Sequence, residues 1–160
     1  MIIFINGSIN AGKSTVSKIL ADKLGSAALL EVDCLRDFIG WMTLEKSIPI
    51  NLENAVSLIQ NFHRRGIDVV VPYPLSKENY NFLMQELHDF AGDIKVFTLA
   101  PTLEVASSNR GRRELTEQER ARIKHHYAIG IPTPNFGTII DNSNETPEET
   151  ANKILKLLSK

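Results

Sequence analysis

The sequence predicts an α/β protein: a five-stranded parallel sheet covered by helices on both faces. Three observations carry this expectation. Short apolar runs alternate with amphipathic stretches from end to end, turn residues punctuate each change, and a glycine-rich turn directly follows the first apolar run. The composition agrees. The chain has 160 residues, 42% hydrophobic and 23% charged, which suits one domain, 1–160, with its own core. A net charge of -1 gives no support to a general nucleic-acid binder, which carries a basic excess. Cys34 is the single cysteine, so neither an intrachain disulfide nor a cysteine-rich zinc site is expected. No apolar run approaches the roughly 20 residues needed to cross a bilayer, and MIIFIN is too short for a signal-peptide core. A cytoplasmic protein without a membrane partner is expected.

Each element follows from its pattern. Residues 2–6, IIFIN, read as a buried strand that stops at Gly7. Residues 13–24 place Val16, Ile19, Leu20 and Leu24 near one helical face, and Gly25 stops that helix. AALLEV, 27–32, reads as the second strand, ending at Asp33. Residues 34–50 show no period and read as irregular chain, with SIPI, 47–50, as a compact turn. A helix over 51–65 buries Leu52, Val56, Ile59 and Phe62. IDVVV, 67–71, is the third strand, Ser76 caps a helix over 77–90, and KVFTL, 95–99, is the fourth strand. Pro101 opens a short helix, and 107–114 reads as a loop. Thr116 with Glu119, and Thr146 with Glu149, match the capping box, so helices begin at both places, the second with Pro147 in its first turn. TIID, 138–141, is the fifth strand. Sites in such sheets gather beyond the carboxyl ends of the strands. Asp33, Pro72, Pro101 and Asn142 are therefore expected to rim one crevice with the glycine-rich turn.

That turn is GSINAGKST, 7–15, with Gly7, Gly12, Lys13 and Ser14 at P-loop spacing between a strand and a helix. Gly7 and Gly12 let the chain curl so that the backbone N–H groups from Ser8, Asn10 and Ala11 through Thr15 converge on an anion. The helix N-terminus adds further donors and a favourable dipole. Lys13 is placed to reach the outer phosphates, and the Ser14 hydroxyl to ligate Mg2+. Lys13 does not separate kinases from switches or hydrolases. A GTP-dependent switch would want a guanine-reading Asn-Lys-x-Asp sequence, and none occurs in the chain.

Asp33 follows the second strand. A carboxylate there serves either as a base for an acceptor hydroxyl or as a ligand of Mg2+ through water, and it also suits a helix cap. The third strand runs into VVVPYPLS without an acid, where many P-loop proteins hold Mg2+, so Asp33 is the preferred substitute. Arg36, Trp41 and Tyr73 are candidates to contact the acceptor, with ordinary packing or solvation as the competing reading for each. The stretch NRGRRELTEQERARIK, 109–124, is rich in arginine. The planar guanidinium fork suits phosphate oxygens. Arg110 and Arg113 are the candidates to stabilise charge on a transferred phosphoryl group, whereas a solvated helix accounts for Arg120 and Arg122.

INGSINAGKS, 5–14, together with VDCLRDF, 32–38, resembles the small P-loop kinases of the nucleoside monophosphate, shikimate and gluconate kinase type, and within them chloramphenicol phosphotransferase-like proteins. The resemblance implies a three-layer P-loop NTPase fold with strand order 2-3-1-4-5. It implies ATP and Mg2+, with Asp33 as the base for a small-molecule hydroxyl acceptor. It also implies an acceptor-binding region over 34–66 and an arginine-bearing lid over 107–127. The stretch 141–151 resembles the junction near adenine in these kinases, which points to Asn142 and Asn144. A nucleoside or nucleotide kinase, and a nucleotide-binding regulator with little turnover, are the competing functions. Monomer and homodimer both remain open.

Overall fold

The structure is a computed structural model that describes residues 1–109 and 114–159. Arg110, Arg112 and Arg113 lie outside the described residues, so the two arginines expected to meet phosphate are not placed by it.

Strands β1 (Ile2–Gly7), β2 (Ala27–Leu29), β3 (Asp68–Pro72), β4 (Ile94–Leu99) and β5 (Thr138–Ile140) form one parallel sheet in the order β2-β3-β1-β4-β5. This is the architecture and strand order that the sequence predicts. All six residues of β1 are buried, because it is the central strand and both of its faces are covered. Its side chains divide by the two-residue period of a strand. Ile2 and Phe4 enter the core shared with Leu52, Ile59 and Leu83. Ile3 and Ile5 enter the core shared with Val16, Leu20 and Ile154. Among the described residues the α-helices are α1 (Lys13–Leu24), α2 (Leu44–His63), α3 (Lys77–Glu86), α4 (Leu103–Ser107), α5 (Glu117–Ala128) and α6 (Pro147–Leu158). The two cores place α2 and α3 on one face of the sheet, and α1 and α6 on the other.

The helix starts follow their local chemistry. Ser76 accepts from the Asn79 N–H, and both capping boxes are formed, at Thr116 with Glu119 and at Thr146 with Glu149. Gly25 ends α1 with φ 79°, in the left-handed region.

Three expectations are corrected. The stretch 34–50 is not irregular: Val32–Ile39 forms a 3-10 helix, and α2 begins at Leu44. Proline misled the reading. Pro49 lies inside α2 near its start, where it removes one backbone donor. The loss is tolerated because Leu52, Ala55, Val56 and Ile59 bury the rest of the helix against the sheet. Second, β2 stops at Leu29, and Glu31 takes an extended turn into the 3-10 helix. Third, the helix expected over 77–90 ends at Glu86 and a separate 3-10 helix covers His88–Asp93. No helix among the described residues is long and apolar enough to cross a membrane.

Candidate active site

The chain turns out of β1 at Asn6 and Gly7. Asn6 is fully buried and ties four segments together. Its amide donates to Thr98 Oγ1 at 3.0 Å and to the Ile131 carbonyl at 3.1 Å, and its oxygen accepts from the Leu75 N–H at 2.7 Å. Gly7 has φ 145°, and a Cβ there would stand 2.6 Å from the Leu99 carbonyl oxygen, so this position needs glycine. The turn that follows leads into α1 through Gly12, φ 95°.

Several contacts hold the turn in shape. Lys13 Nζ donates to the Ser8 carbonyl at 2.8 Å, which folds the ammonium back over the loop. The Asn10 amide donates to the carbonyls of Ala106 and Ser108, both at 2.9 Å, fastening the loop to α4. The Asn142 amide, just after β5, donates to the Ala11 carbonyl at 3.0 Å. Ser8 Oγ lies 3.3 Å from His126 Nδ1.

A cavity of about 600 Å³ opens over this turn. Asn10, Gly12, Lys13, Ser14 and Thr15 form one wall, Glu31, Asp33 and Pro72 another, and Asn142, Glu145 and Pro147 a third. The structure therefore brings the glycine-rich turn, Asp33 and Asn142 to one cavity beyond the carboxyl ends of the strands. Gly7, Ser8 and Ala11 lie under it rather than on its wall; Ser8 and Ala11 are fully buried.

The remaining predicted residues are placed elsewhere. Asn144 is exposed and does not line the cavity. Trp41 is 83% exposed, and neither it nor Arg36 lines the cavity. Arg36 is half-buried and its Nε has no hydrogen-bond partner. Tyr73 is buried rather than presented to a ligand. Burial pushes its phenol up to about 12, the Asp33 charge adds to the rise, and Arg122 opposes it. Asp33 and Arg122 therefore both lie within electrostatic reach of Tyr73.

Two residues near the turn are not assigned to it by the sequence, and a third, read as solvated, is exposed as expected but acts on its neighbours through its charge. Glu31 was read as part of a strand. It accepts from Ser14 Oγ at 3.4 Å, and the available signal was an acid two residues before Asp33 at a strand end. His126 is one of two adjacent histidines that the sequence does not make a metal pair; each is a candidate only to contact the acceptor. It is buried, and burial together with the charges of Arg122, Lys13 and His125 lowers its pKa to about 4. Arg122 was assigned to a solvated helix face; its side chain is exposed, yet its charge is felt at both Tyr73 and His126. Acidic groups gather after β2: beyond burial, Glu31, Asp37 and Asp33 all raise the Cys34 thiol.

No group of three His, Cys, Asp or Glu side chains among the described residues is arranged to hold a metal ion. The set that is present consists of the Ser14 hydroxyl with the Glu31 and Asp33 carboxylates around an open cavity. This all-oxygen set fits Mg2+, which keeps waters and substrate phosphates in its shell rather than an all-protein cage.

A five-stranded parallel sheet in this order, with a glycine-lysine-serine turn between β1 and α1, defines a P-loop kinase fold. The comparisons agree. No protein-family model matches the chain. A protein of Thermococcus gammatolerans named "Putative adenylate kinase" is 33% identical over 171 aligned positions, covering 100% of this chain and 86% of that protein. Among solved structures, a sugar kinase from Janibacter has a TM-score of 0.76 at 16% identity, covering 99% of this chain and 94% of the other. A gluconokinase from Sinorhizobium meliloti has a TM-score of 0.73 at 17% identity, covering 98% and 90%. The chain belongs to the family of the Thermococcus protein, within the P-loop kinases, and is a phosphotransferase.

Proposed function

We propose that the protein transfers the γ-phosphoryl group of ATP to a hydroxyl of a small acceptor that is not itself strongly anionic. The carrying observation is the pairing in one cavity of a phosphate-type wall, Gly12 to Thr15, with a carboxylate wall, Glu31 and Asp33. Backbone N–H groups of the turn and Lys13 would hold the phosphates, and Lys13 would exchange the Ser8 carbonyl for phosphate oxygen. Ser14 would ligate Mg2+, with Glu31 and Asp33 orienting its waters; the ion supplies charge neutralisation between the outer phosphates. Asp33 takes the acceptor proton as the acceptor oxygen bonds to the γ-phosphorus. The bond from that phosphorus to its bridging oxygen breaks, and ADP leaves with the electron pair. Arg110 and Arg113 are proposed to stabilise the transferred charge. The segment 34–66, including Arg36 and Trp41, is proposed to bind the acceptor, as in chloramphenicol phosphotransferase-like kinases.

The carboxylate wall favours a neutral or cationic acceptor, because an incoming phosphate monoester would meet Glu31 and Asp33. A nucleoside monophosphate acceptor is the second reading, and the name of the Thermococcus relative favours it. The deciding experiment is an acceptor panel of polyols, sugars, amino alcohols and nucleoside monophosphates with ATP and Mg2+, read by mass gain of one phosphoryl group. Transfer to a hydroxyl compound supports the first reading. Transfer confined to nucleoside monophosphates overturns it.

A further inference from the structure

The two adjacent histidines of α5 have different surroundings. His125 is exposed, whereas His126 is 6% exposed and meets Ser8, which is fully buried. Ser8 is a pivot of the glycine-rich turn. Its side chain faces His126 Nδ1 at 3.3 Å, and its carbonyl accepts from Lys13 Nζ at 2.8 Å and from the Ala11 N–H at 3.3 Å. His126 is itself fixed from below. Its carbonyl accepts from the Ile131 N–H at 3.0 Å, and the Ile131 carbonyl accepts from Asn6. One chain of hydrogen bonds therefore runs from β1 through Ile131, His126 and Ser8 to the lysine expected to hold phosphate.

We propose that His126 is a positioning residue for the glycine-rich turn, its imidazole holding the Ser8 hydroxyl so that the Ser8 carbonyl stays aimed at Lys13 and Ala11. A buried hydroxyl without a partner is costly, so an apolar residue of similar volume at 126 would leave Ser8 to seek another bond and rotate the turn with it. The imidazole meets Ser8 of the turn and lies within the electrostatic reach of Lys13 of α1 and of Arg122 and His125 of its own helix. Three of them are basic or become so on protonation, and with burial they keep the imidazole neutral, the form that either accepts from the Ser8 hydroxyl or donates to it. Helix α5, which starts at Glu117 within the arginine-rich stretch 109–124, is by this bond fastened to the turn.

The test uses the full chain with His126→Leu, His126→Asn, Ser8→Ala and the double variant His126→Leu with Ser8→Ala. Asparagine is chosen because its side-chain amide occupies the place of the Nδ1 edge of histidine. The first readout is amide hydrogen exchange of residues 8–14 without nucleotide, and the second is calorimetric MgATP affinity. His126→Leu and Ser8→Ala should each raise exchange in 8–14, and each weaken MgATP, by about three- to tenfold. His126→Asn should stay within about twofold of the parent, and the double variant should be no worse than the worse single, as for two ends of one bond. Multiplying effects in the double variant overturn the proposal, as does failure of His126→Asn to rescue, or faster exchange spread over the whole chain. The affinity readout rests on the proposed nucleotide site. If the parent protein binds no MgATP, that reading fails, while the exchange readout still decides the role of His126. Should His126→Leu not fold, Ser8→Ala and His126→Asn carry the same comparison.

Discussion

Ser14 Oγ and Glu31 Oε2 stand 3.4 Å apart, so the hydroxyl at the start of α1 faces a carboxylate from the turn after β2. This contact gives the site an acid that β3 does not supply, since β3 ends at Pro72. If Glu31 orients a metal-bound water beside Ser14, Glu31→Gln should raise the Mg2+ concentration needed for half-maximal turnover by about 10- to 100-fold, the usual effect of losing such a partner. Turnover at saturating Mg2+ should recover most of its parent value. The measurement is a Mg2+ titration at fixed ATP. A variant with unchanged Mg2+ dependence would remove Glu31 from the metal's surroundings.

Lys13 and Asp33 line one cavity, and their variants should separate binding from transfer. Lys13→Ala removes the cation expected at the outer phosphates and should weaken MgATP by at least about tenfold in calorimetry. Asp33→Asn keeps the shape but cannot take a proton. It should bind MgATP within about threefold of the parent and lose roughly 10²- to 10⁴-fold in turnover with the acceptor that the panel identifies. Equal losses of binding and turnover in Asp33→Asn would assign this carboxylate to Mg2+ instead of the acceptor.

The acid side of the stability profile should carry the signature of His126. In the folded chain its pKa is about 4, against 6.5 for an ordinary imidazole. Between those values the unfolded chain binds a proton that the folded chain does not. Stability is therefore lost as pH falls from about 6.5 toward about 4, with a slope of up to about 1.4 kcal/mol per pH unit from this one group. Asp141 and Glu149 have lowered pKa values through their hydrogen bonds to Ser143 and Thr146. They too lose stability in acid, but at lower pH. Urea denaturation at pH 7 and pH 5 should therefore isolate the histidine: the parent loses stability between the two, and His126→Asn loses clearly less. Equal losses in both proteins would show that His126 is protonated as readily folded as unfolded.

The parts of the fold set by local chemistry were legible. Gly7, Gly12, Lys13 and Ser14 announce a strand-turn-helix junction because few other arrangements use those residues at that spacing. Thr116 with Glu119 and Thr146 with Glu149 announce helix starts because the caps are made within four residues. The parts set by tertiary packing were not legible. Pro49 looks like a terminator, yet α2 runs through it because its buried stripe outweighs one missing bond. Glu31 is hidden by the apolar run before it, and its role appears only when β2 is seen to stop at Leu29, leaving the next residues free to turn toward Ser14. His126 and Ser8 are 118 positions apart, and no periodicity in either segment points to the other. Trp41 is the opposite case: an aromatic residue in an apolar stretch suits a packed wall by type, yet it lies exposed.

Asn6 is the residue where fold and site depend on the same bonds. Its side chain meets β4 at Thr98, the turn after β3 at Leu75 and the link after α5 at Ile131, and the next residue is Gly7. Leucine has nearly the same shape but can serve none of these groups. Asn6→Leu would strand the Leu75 N–H and the Ile131 carbonyl in a buried setting, at about 1–3 kcal/mol each. Urea denaturation should show a loss of about 2–5 kcal/mol, which is large against the 5–15 kcal/mol typical of a domain. The variant should also weaken MgATP in calorimetry, because Ile131 is the residue through which β1 supports His126 and Ser8. A loss under about 1 kcal/mol would mean that the three segments find other partners and that Asn6 is not their common tie. A large loss of stability with unchanged MgATP affinity at low temperature would separate the two roles, leaving Asn6 to the sheet and the glycine-rich turn to its own contacts with Asn142 and α4.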